Sequence, residues 1–317
     1  MGKFILKRIL TAIPTLFLAL TLVFFMMRAI PGDPLFAMTG ADQVDQNTYE
    51  AMAERYGLAG SDFEQYIKYL GNVLRGDFGY SFFMGKTVLE CIKDRLEPTL
   101  MLSALSMIIT VLLGVPLGVI GATRENSLVD YGTSTISVIF LCIPNFILAL
   151  GLIYIFGFKL AWFPISKYAP IGSPTGFWGA VHSMILPALA VGLPNVGTCA
   201  RFTRTSMIST LKRDYIRTAR AKGLSLGKVR YTHALKNSFA TVLTILSGTL
   251  LSTLGGSIIV ETCFSIHGIG ELMNKGLSQR DYPLAQACLL IMTLLFIVIN
   301  ILLDIGYKLL DPRVELN

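Results

Sequence analysis

Charge is scarce in this sequence of 317 residues: Asp, Glu, Lys and Arg make up 15% of it, against 53% hydrophobic residues and a mean hydropathy of +0.61. An ordinary soluble domain has roughly a quarter of its residues charged. Signatures of catalysis are missing too. No G-x-x-x-x-G-K-[ST] phosphate loop and no H-E-x-x-H pair occurs. The histidines His182, His233 and His267 stand far apart and form no ligand cluster. The cysteines Cys91, Cys142, Cys199, Cys263 and Cys288 lack C-x-x-C spacing, and most fall in or beside apolar runs, where they read as small packing residues. No acid–base, nucleophile or metal constellation supports a membrane-embedded enzyme. If ATP drives this protein, another chain must hold the ATP.

What is present is apolar length. A bilayer crossing takes about 20 residues, and six runs qualify: 9–30, about 98–122, 133–158, 180–200, 238–261 and 284–306. The fold class expected is an all-α integral membrane protein with about six transmembrane helices. The first run follows a basic start (Lys3, Lys7, Arg8) and ends at Arg28-Ala29-Ile30-Pro31-Gly32 with no small-residue cleavage site, so it reads as a retained span. Pro116, Pro144, Pro187 and Pro194 fall within spans and mark expected bends, while Pro14, in the first half of the first span, frees a carbonyl that neighbours must satisfy. Gly114, Gly118 and Ala122, and again Gly248, Ser252 and Gly256, repeat at four-residue spacing. That spacing suits close helix packing, with a substrate path as the other reading.

Loop charge orients the spans. The amino terminus, loop 123–132 (Arg124), loop 201–237 and the tail (Lys308, Arg313) fall on one side. Loops 159–179 (Lys159, Lys167) and 262–283 (Lys275, Arg280) fall on the other. The first side carries the positive excess and is expected to be cytosolic, with both termini inside. Residues 31–96 then form a large extracytoplasmic segment between the first span (1–30) and the core (97–317). Within it, Asp62–Leu74 has helical apolar spacing (Phe63, Tyr66, Ile67, Leu70), followed by a turn at Gly76–Ser81. This helix either lies against the membrane or serves as a lid or receptor contact. The net charge of +7 is concentrated in one loop, so topology explains it without nucleic acid.

That loop, 201–237, holds Arg201, Arg204, Lys212, Arg213, Arg217, Arg220, Lys222, Lys228, Arg230 and Lys236 against a single acid, Asp214. From Met207 to Ala219 the residues Ile208, Leu211, Tyr215 and Ala219 share one face of an expected helix. Gly223 is placed to stop it, and Ser225 to cap a second helix near Leu226. A basic hairpin with a small-residue tip suits insertion into a partner's cleft; an ordinary cytosolic loop explains the charge equally well. The span interiors carry almost no charge, which counts against a proton-coupled carrier. Asn145 and Asn195 are the polar side chains singled out for a translocation path.

Residues 215–237, with TARAKGLS and HALKN, resemble the "EAA" loop of binding-protein-dependent ABC transporter permeases, more narrowly the dipeptide/oligopeptide/nickel family. The likeness runs through IPGDP at 30–34, RGDFGYSF at 75–82, VET at 260–262, RDYPLAQ at 280–286 and LLDPRV at 309–314. Two departures occur. Arg217-Thr218-Ala219 stands where the general loop has Glu-Ala-Ala, a variant common in the peptide subfamily, and Thr241 stands where a proline often follows. The resemblance implies an importer permease of peptides or a related small solute in the bacterial cytoplasmic (inner) membrane. It implies no cofactor in this chain, with ATP and Mg on two cytosolic ATPase subunits. It also implies a second permease chain and an extracytoplasmic substrate-binding protein, facing segments 31–96 and 262–283. The coupling residues implied are Arg217, Thr218, Ala219, Arg220, Ala221, Lys222, Gly223, Leu224 and Ser225. The competing class is a stand-alone secondary transporter or channel, which would move solute without ATPase subunits.

Overall fold

The computed structural model describes residues 2–29, 35, 45–55 and 58–310. Most of the IPGDP and LLDPRV motifs, and the side chains of Thr241, Ser252, Gly256 and Asp304, lie outside what is described. The chain is mostly helical: α1 Gly2–Ala29, α2 Gln46–Arg55, α3 Asp62–Leu74, a two-residue hairpin of β1 (Tyr80–Ser81) and β2 (Lys86–Thr87), and α4 Val88–Thr123. There follow α5 Leu128–Cys142, α6 Asn145–Leu152 with a π-helical turn Ile153–Lys159, and α7 Gly176–Leu211. The order closes with α8 Asp214–Ala221, α9 Leu226–Lys228 with a second π-helical turn Val229–Leu235, α10 Lys236–Cys263, α11 Ile269–Ser278 and α12 Tyr282–Leu310. Among the described residues, four helical stretches are long and apolar enough to cross a membrane: Leu10–Ala29, Val88–Thr123, Gly176–Leu211 and Tyr282–Leu303. A further span is formed by α5 and the α6 segment only if the pair counts as one. The helix α10 occupies the expected 238–261 position.

The third expected span is therefore not one straight helix. It bends by 97° between Cys142 and Asn145. A proline disfavours the helical conformation of the residue before it, and Ile143 is extended (φ −81°, ψ 119°) ahead of Pro144. Pro144 then starts α6, its carbonyl accepting from Ile147 and Leu148 N–H. At Pro116, Pro187 and Pro194 no such break occurs, and α4 and α7 run through them as continuous helices. Around Pro187 the flanking residues Leu186, Ala188, Ala190 and Val191 are all buried in one apolar cluster.

The contacts divide the chain into two compact units: residues 1–99 with 267–297, and residues 100–266 with 298–317. In the first, α3 forms over the residues its periodicity marks. Ser61 caps it, accepting from Glu64 N–H while its own N–H donates to Glu64 Oε2 at 2.9 Å. Only Tyr66 of the expected apolar stripe is buried; it packs on Phe24 and shares a 2.6 Å hydrogen bond with Thr21. Phe63 and Ile67 are exposed.

In the second unit the glycines of α4 let α7 come close. A Cβ on Gly118 would stand 2.5 Å from the Ala200 carbonyl oxygen and 2.5 Å from Thr203 Cβ. On α7, a Cβ on Gly197 would stand 2.2 Å from the Ser137 carbonyl of α5. The Gly114/Gly118 face is thus a packing face. The second set behaves differently, since nothing lies within 4 Å of a Cβ on Gly248. We expect Gly118→Ala to destabilise the protein by about 1–3 kcal/mol through overpacking, and Gly248→Ala to leave stability unchanged or slightly raised. Thermal unfolding of the two purified variants in detergent checks the contrast.

Candidate functional site

The long basic loop folds into a compact hairpin. The helix α7 ends at Leu211, and Arg213 is extended (φ −74°, ψ 150°) before α8 begins at Asp214. The single helix expected over Met207–Ala219 is thus two helices. The break resets the helical phase: Ile216 and Ala219 are buried, while Tyr215 is exposed and accepts a 2.9 Å hydrogen bond from Asn237 Nδ2. Ile216, Ala219, Val229 and Ala234 join Val115, Val119 and Met207 in a single apolar cluster, so both arms of the hairpin are anchored in the helical core. At the base, Ser238 Oγ donates to Thr210 Oγ1 at 3.1 Å.

The corner follows the local chemistry. Gly223 N–H donates to Arg220 O (2.9 Å), and Leu224 N–H reaches back to Ala219 O (3.4 Å). That paired closure requires a left-handed residue, and Gly223 has φ +77°. The half-buried Leu224 packs against the same cluster as Ala219. Ser225 then caps α9, its Oγ accepting from Lys228 N–H at 3.4 Å. The sequence placed Gly223 and Ser225 correctly. Of the nine residues marked there, Arg217, Thr218, Arg220, Ala221, Lys222, Gly223 and Ser225 are exposed, Leu224 is half-buried and Ala219 is buried. A Cβ on Gly223 would meet nothing within 4 Å, so the tip stands open.

A half-buried ion pair braces α7 where it approaches the hairpin. Arg204 Nε and Nη2 grip Asp130 Oδ1 and Oδ2 at 2.5 and 2.6 Å, and Asp130 also accepts from Asn126 N–H at 2.9 Å. Sequence reading did not single out this pair, because its members are separated by seventy-four positions. Asn145 and Asn195 sit on different helices, both half-buried. Asn195 Nδ2 donates to Val191 O and to Thr253 Oγ1 of α10, each at 3.2 Å, which ties α7 to α10. Asn145 begins α6 at the bend.

In the first unit two of the quoted motifs meet. Asp281, only 1% exposed, accepts from Ser81 Oγ at 2.6 Å, from Phe83 N–H at 3.2 Å and from Leu284 N–H at 3.2 Å. It joins RGDFGYSF to RDYPLAQ and caps α12. Gly79 lies against Pro283, and the Arg28 guanidinium sits 3.4 Å over the Phe24 ring. Burial pushes the Asp281 carboxyl above its ordinary value, outweighing the donors that favour its ionised form. Among the described residues, no group of three or more His, Cys, Asp or Glu is placed to hold a metal ion.

Two outcomes follow. Ile216→Ala removes a fully buried anchor and is expected to cost about 2–5 kcal/mol, whereas Thr218→Ala, on the exposed face, is expected to change stability by under about 0.5 kcal/mol; limited proteolysis of the loop checks both. Asp281 has a folded-state pKa raised above its unfolded value. Its protonation therefore favours the folded state at low pH, and this contribution is lost as pH rises through the folded value. Melting curves taken across pH should show that loss in the wild type and not in Asp281→Asn.

Comparison with known proteins gives this arrangement a lineage. Residues 114–316 match the family described as binding-protein-dependent transport system inner membrane component, and residues 1–103 match its N-terminal membrane component. The oligopeptide transport system permease protein AppB of Bacillus subtilis (strain 168) is 38% identical over 316 residues, covering 99% of this chain and 100% of that protein. The di/tripeptide transport system permease protein DppB of Pseudomonas aeruginosa is 36% identical, covering 99% of both chains. The glutathione transport system permease protein GsiC of Shigella flexneri is also 36% identical, again covering 99% of each. In fold, the chain is similar to the inward-facing MetNI methionine ABC transporter, with a TM-score of 0.57 at 15% identity, over 69% of this chain and 95% of that one. The chain is a multi-pass membrane protein belonging to the family of inner-membrane components of binding-protein-dependent transport systems.

Proposed function

We propose that the chain is a transmembrane subunit of an ABC importer that carries peptides, di- or oligopeptides, across a bacterial cytoplasmic membrane. The observation that carries this reading is the hairpin 214–235: two arms each anchored in the helical core by buried side chains, and a glycine-cornered tip with open space around it. Relatives whose names specify oligopeptide and di/tripeptide transport, aligned along the whole chain, support the substrate class. In this reading α1, α4, the α5–α6 pair, α7, α10 and α12 are six spans, both termini are cytosolic, and the segment after α1 is extracytoplasmic. The exposed residues Arg217, Thr218, Arg220, Ala221, Lys222, Gly223 and Ser225 form the contact with a cytosolic ATPase. Ala219 and Leu224 hold that contact to the core. ATP and Mg belong to a pair of such ATPase chains, and this chain holds no cofactor.

Mechanically, closure of the ATPases displaces the tip, and the buried Ile216, Ala219, Val229 and Ala234 pass the displacement to α7 and α10. The Asn195–Thr253 bond lies between those two helices, so Asn195 reports their relative position. Asn145, at the start of α6, is assigned to the path. A second permease chain completes that path, and a substrate-binding protein delivers the solute from outside. A stand-alone carrier or channel would need no exposed hairpin of this kind.

Gly223→Glu tests the reading. The left-handed backbone strains any side chain by about 1–2 kcal/mol, and the added charge occupies the tip. Membrane insertion and yield are expected to stay near wild type while peptide uptake and substrate-stimulated ATPase activity fall by at least about tenfold. Normal uptake and ATPase activity in this variant would remove the docking assignment. Uptake by the chain reconstituted without ATPase subunits would favour the carrier class.

A further inference from the structure

The helix α3 (Asp62–Leu74) presents three sides, and one of them is spent on α1. Tyr66 packs on Phe24 with ring centroids 5.1 Å apart and shares a 2.6 Å hydrogen bond with Thr21. Tyr69 packs on Phe24 at 5.5 Å, and Gln65 Oε1 accepts from Arg28 Nε at 3.0 Å. A second side is polar, with Lys68 and Asn72 exposed. The third is apolar and uncovered. Phe63, Ile67, the half-buried Leu70 and Leu74 follow one another at the spacing of a single helical face. Phe63 is 67% exposed, Ile67 52% and Leu74 88%. Large apolar side chains aligned in this way mark a surface that meets something other than water.

The level of α3 along α1 identifies what covers the stripe. The apolar stretch of α1 is Leu10–Ala29, and its length of about 30 Å matches the hydrocarbon core of a bilayer. At the rise of an α-helix, Thr21 lies about 12 Å and Phe24 about 8 Å inside the Ala29 end of that stretch. Tyr66 and Tyr69 reach these two residues, and Gln65 meets Arg28 next to the end itself. The helix α3 therefore lies across the last turns of the span, where hydrocarbon gives way to head groups. The apolar surface is also continuous. Leu22, Phe25 and Met26 of α1 are exposed, and Phe25 meets Tyr66 with centroids 5.4 Å apart. Tyr66 in turn stands beside Phe63 and Leu70 on α3. As a helix, α3 satisfies its own backbone polar groups and can border lipid.

We propose that α3 is embedded in the membrane interface at the Arg28 end of α1, with Phe63, Ile67, Leu70 and Leu74 among the acyl chains of that leaflet and Lys68 and Asn72 towards head groups and water. Of the two roles the sequence leaves open for this helix, lipid contact is the one its packing selects. The placement requires only that α1 cross the membrane, and takes nothing from the role assigned to the hairpin tip.

The test uses the full-length protein with Trp162→Phe and Trp178→Phe, which remove the native tryptophans. Phe63→Trp, Ile67→Trp, Leu74→Trp and Asn72→Trp are then made one at a time, so that each variant carries a single emitter. Each is placed in phosphatidylcholine nanodiscs, with or without bromine on the acyl chains, where both membrane faces are open to iodide as the aqueous quencher. The three stripe variants are expected to lose most of their emission in brominated lipid and to lose little to iodide. Asn72→Trp is expected to show the reverse. Three stripe positions keep the measurement decisive if one variant fails to fold, which gel filtration reveals. Quenching of the stripe by iodide and not by brominated lipid overturns the proposal and leaves a water-facing surface for a receptor. Protection of the stripe from both quenchers also overturns it, because protein then covers the helix. Neither result touches the transport reading, which uptake and ATPase activity test separately.

Discussion

The close approach of α7 to its neighbours is the constraint on which the second unit depends. Backbone meets side chain or backbone at Gly118 and Gly197 with no room for a methyl group. In lipid, association between helices gains little from the hydrophobic effect, so contact area and backbone proximity do more of the work. The glycines provide both. They seat α7 against α4 and α5, and Asp130 then clamps Arg204 further along α7. With the helix held there, its continuation into the hairpin starts from a defined place.

The two units solve different problems with the same device, a buried polar group that joins distant stretches. Asp130 joins the loop after α4 to α7. Asp281 joins the β1 strand to the start of α12 across two hundred positions. Each accepts several hydrogen bonds, so each carboxylate is satisfied where it is buried. Arg28 and Gln286 are the contrast, because donors there remain unspent.

Much of this architecture was legible in the sequence. Asp62–Leu74, the stop at Gly223, the cap at Ser225 and the packing face at Gly114 and Gly118 all follow from local rules. What was not legible depended on neighbours. The phase of the hairpin helix was misread because Lys212 and Arg213 interrupt the helix, so Ile216 faces inward where an unbroken period selects Tyr215. Pro144 breaks a helix and Pro187 does not, though both are prolines in apolar runs, and the pattern of the runs alone does not tell them apart. The motifs RGDFGYSF and RDYPLAQ served in the sequence only as markers of likeness. Their physical content, a shared carboxylate, required knowing that residues near 80 and near 281 touch.

The corner at Gly223 has a thermodynamic side. A loop that must be ordered by its partner gives up conformational entropy at each association, about 1–2 kcal/mol for every residue fixed. Here the order is already present. The reciprocal bonds from Gly223 and Leu224, the cap at Ser225 and the buried side chains beneath them hold the tip in one conformation before anything arrives. A tip prepared in this way can engage and release a surface repeatedly with little entropic toll on either stroke.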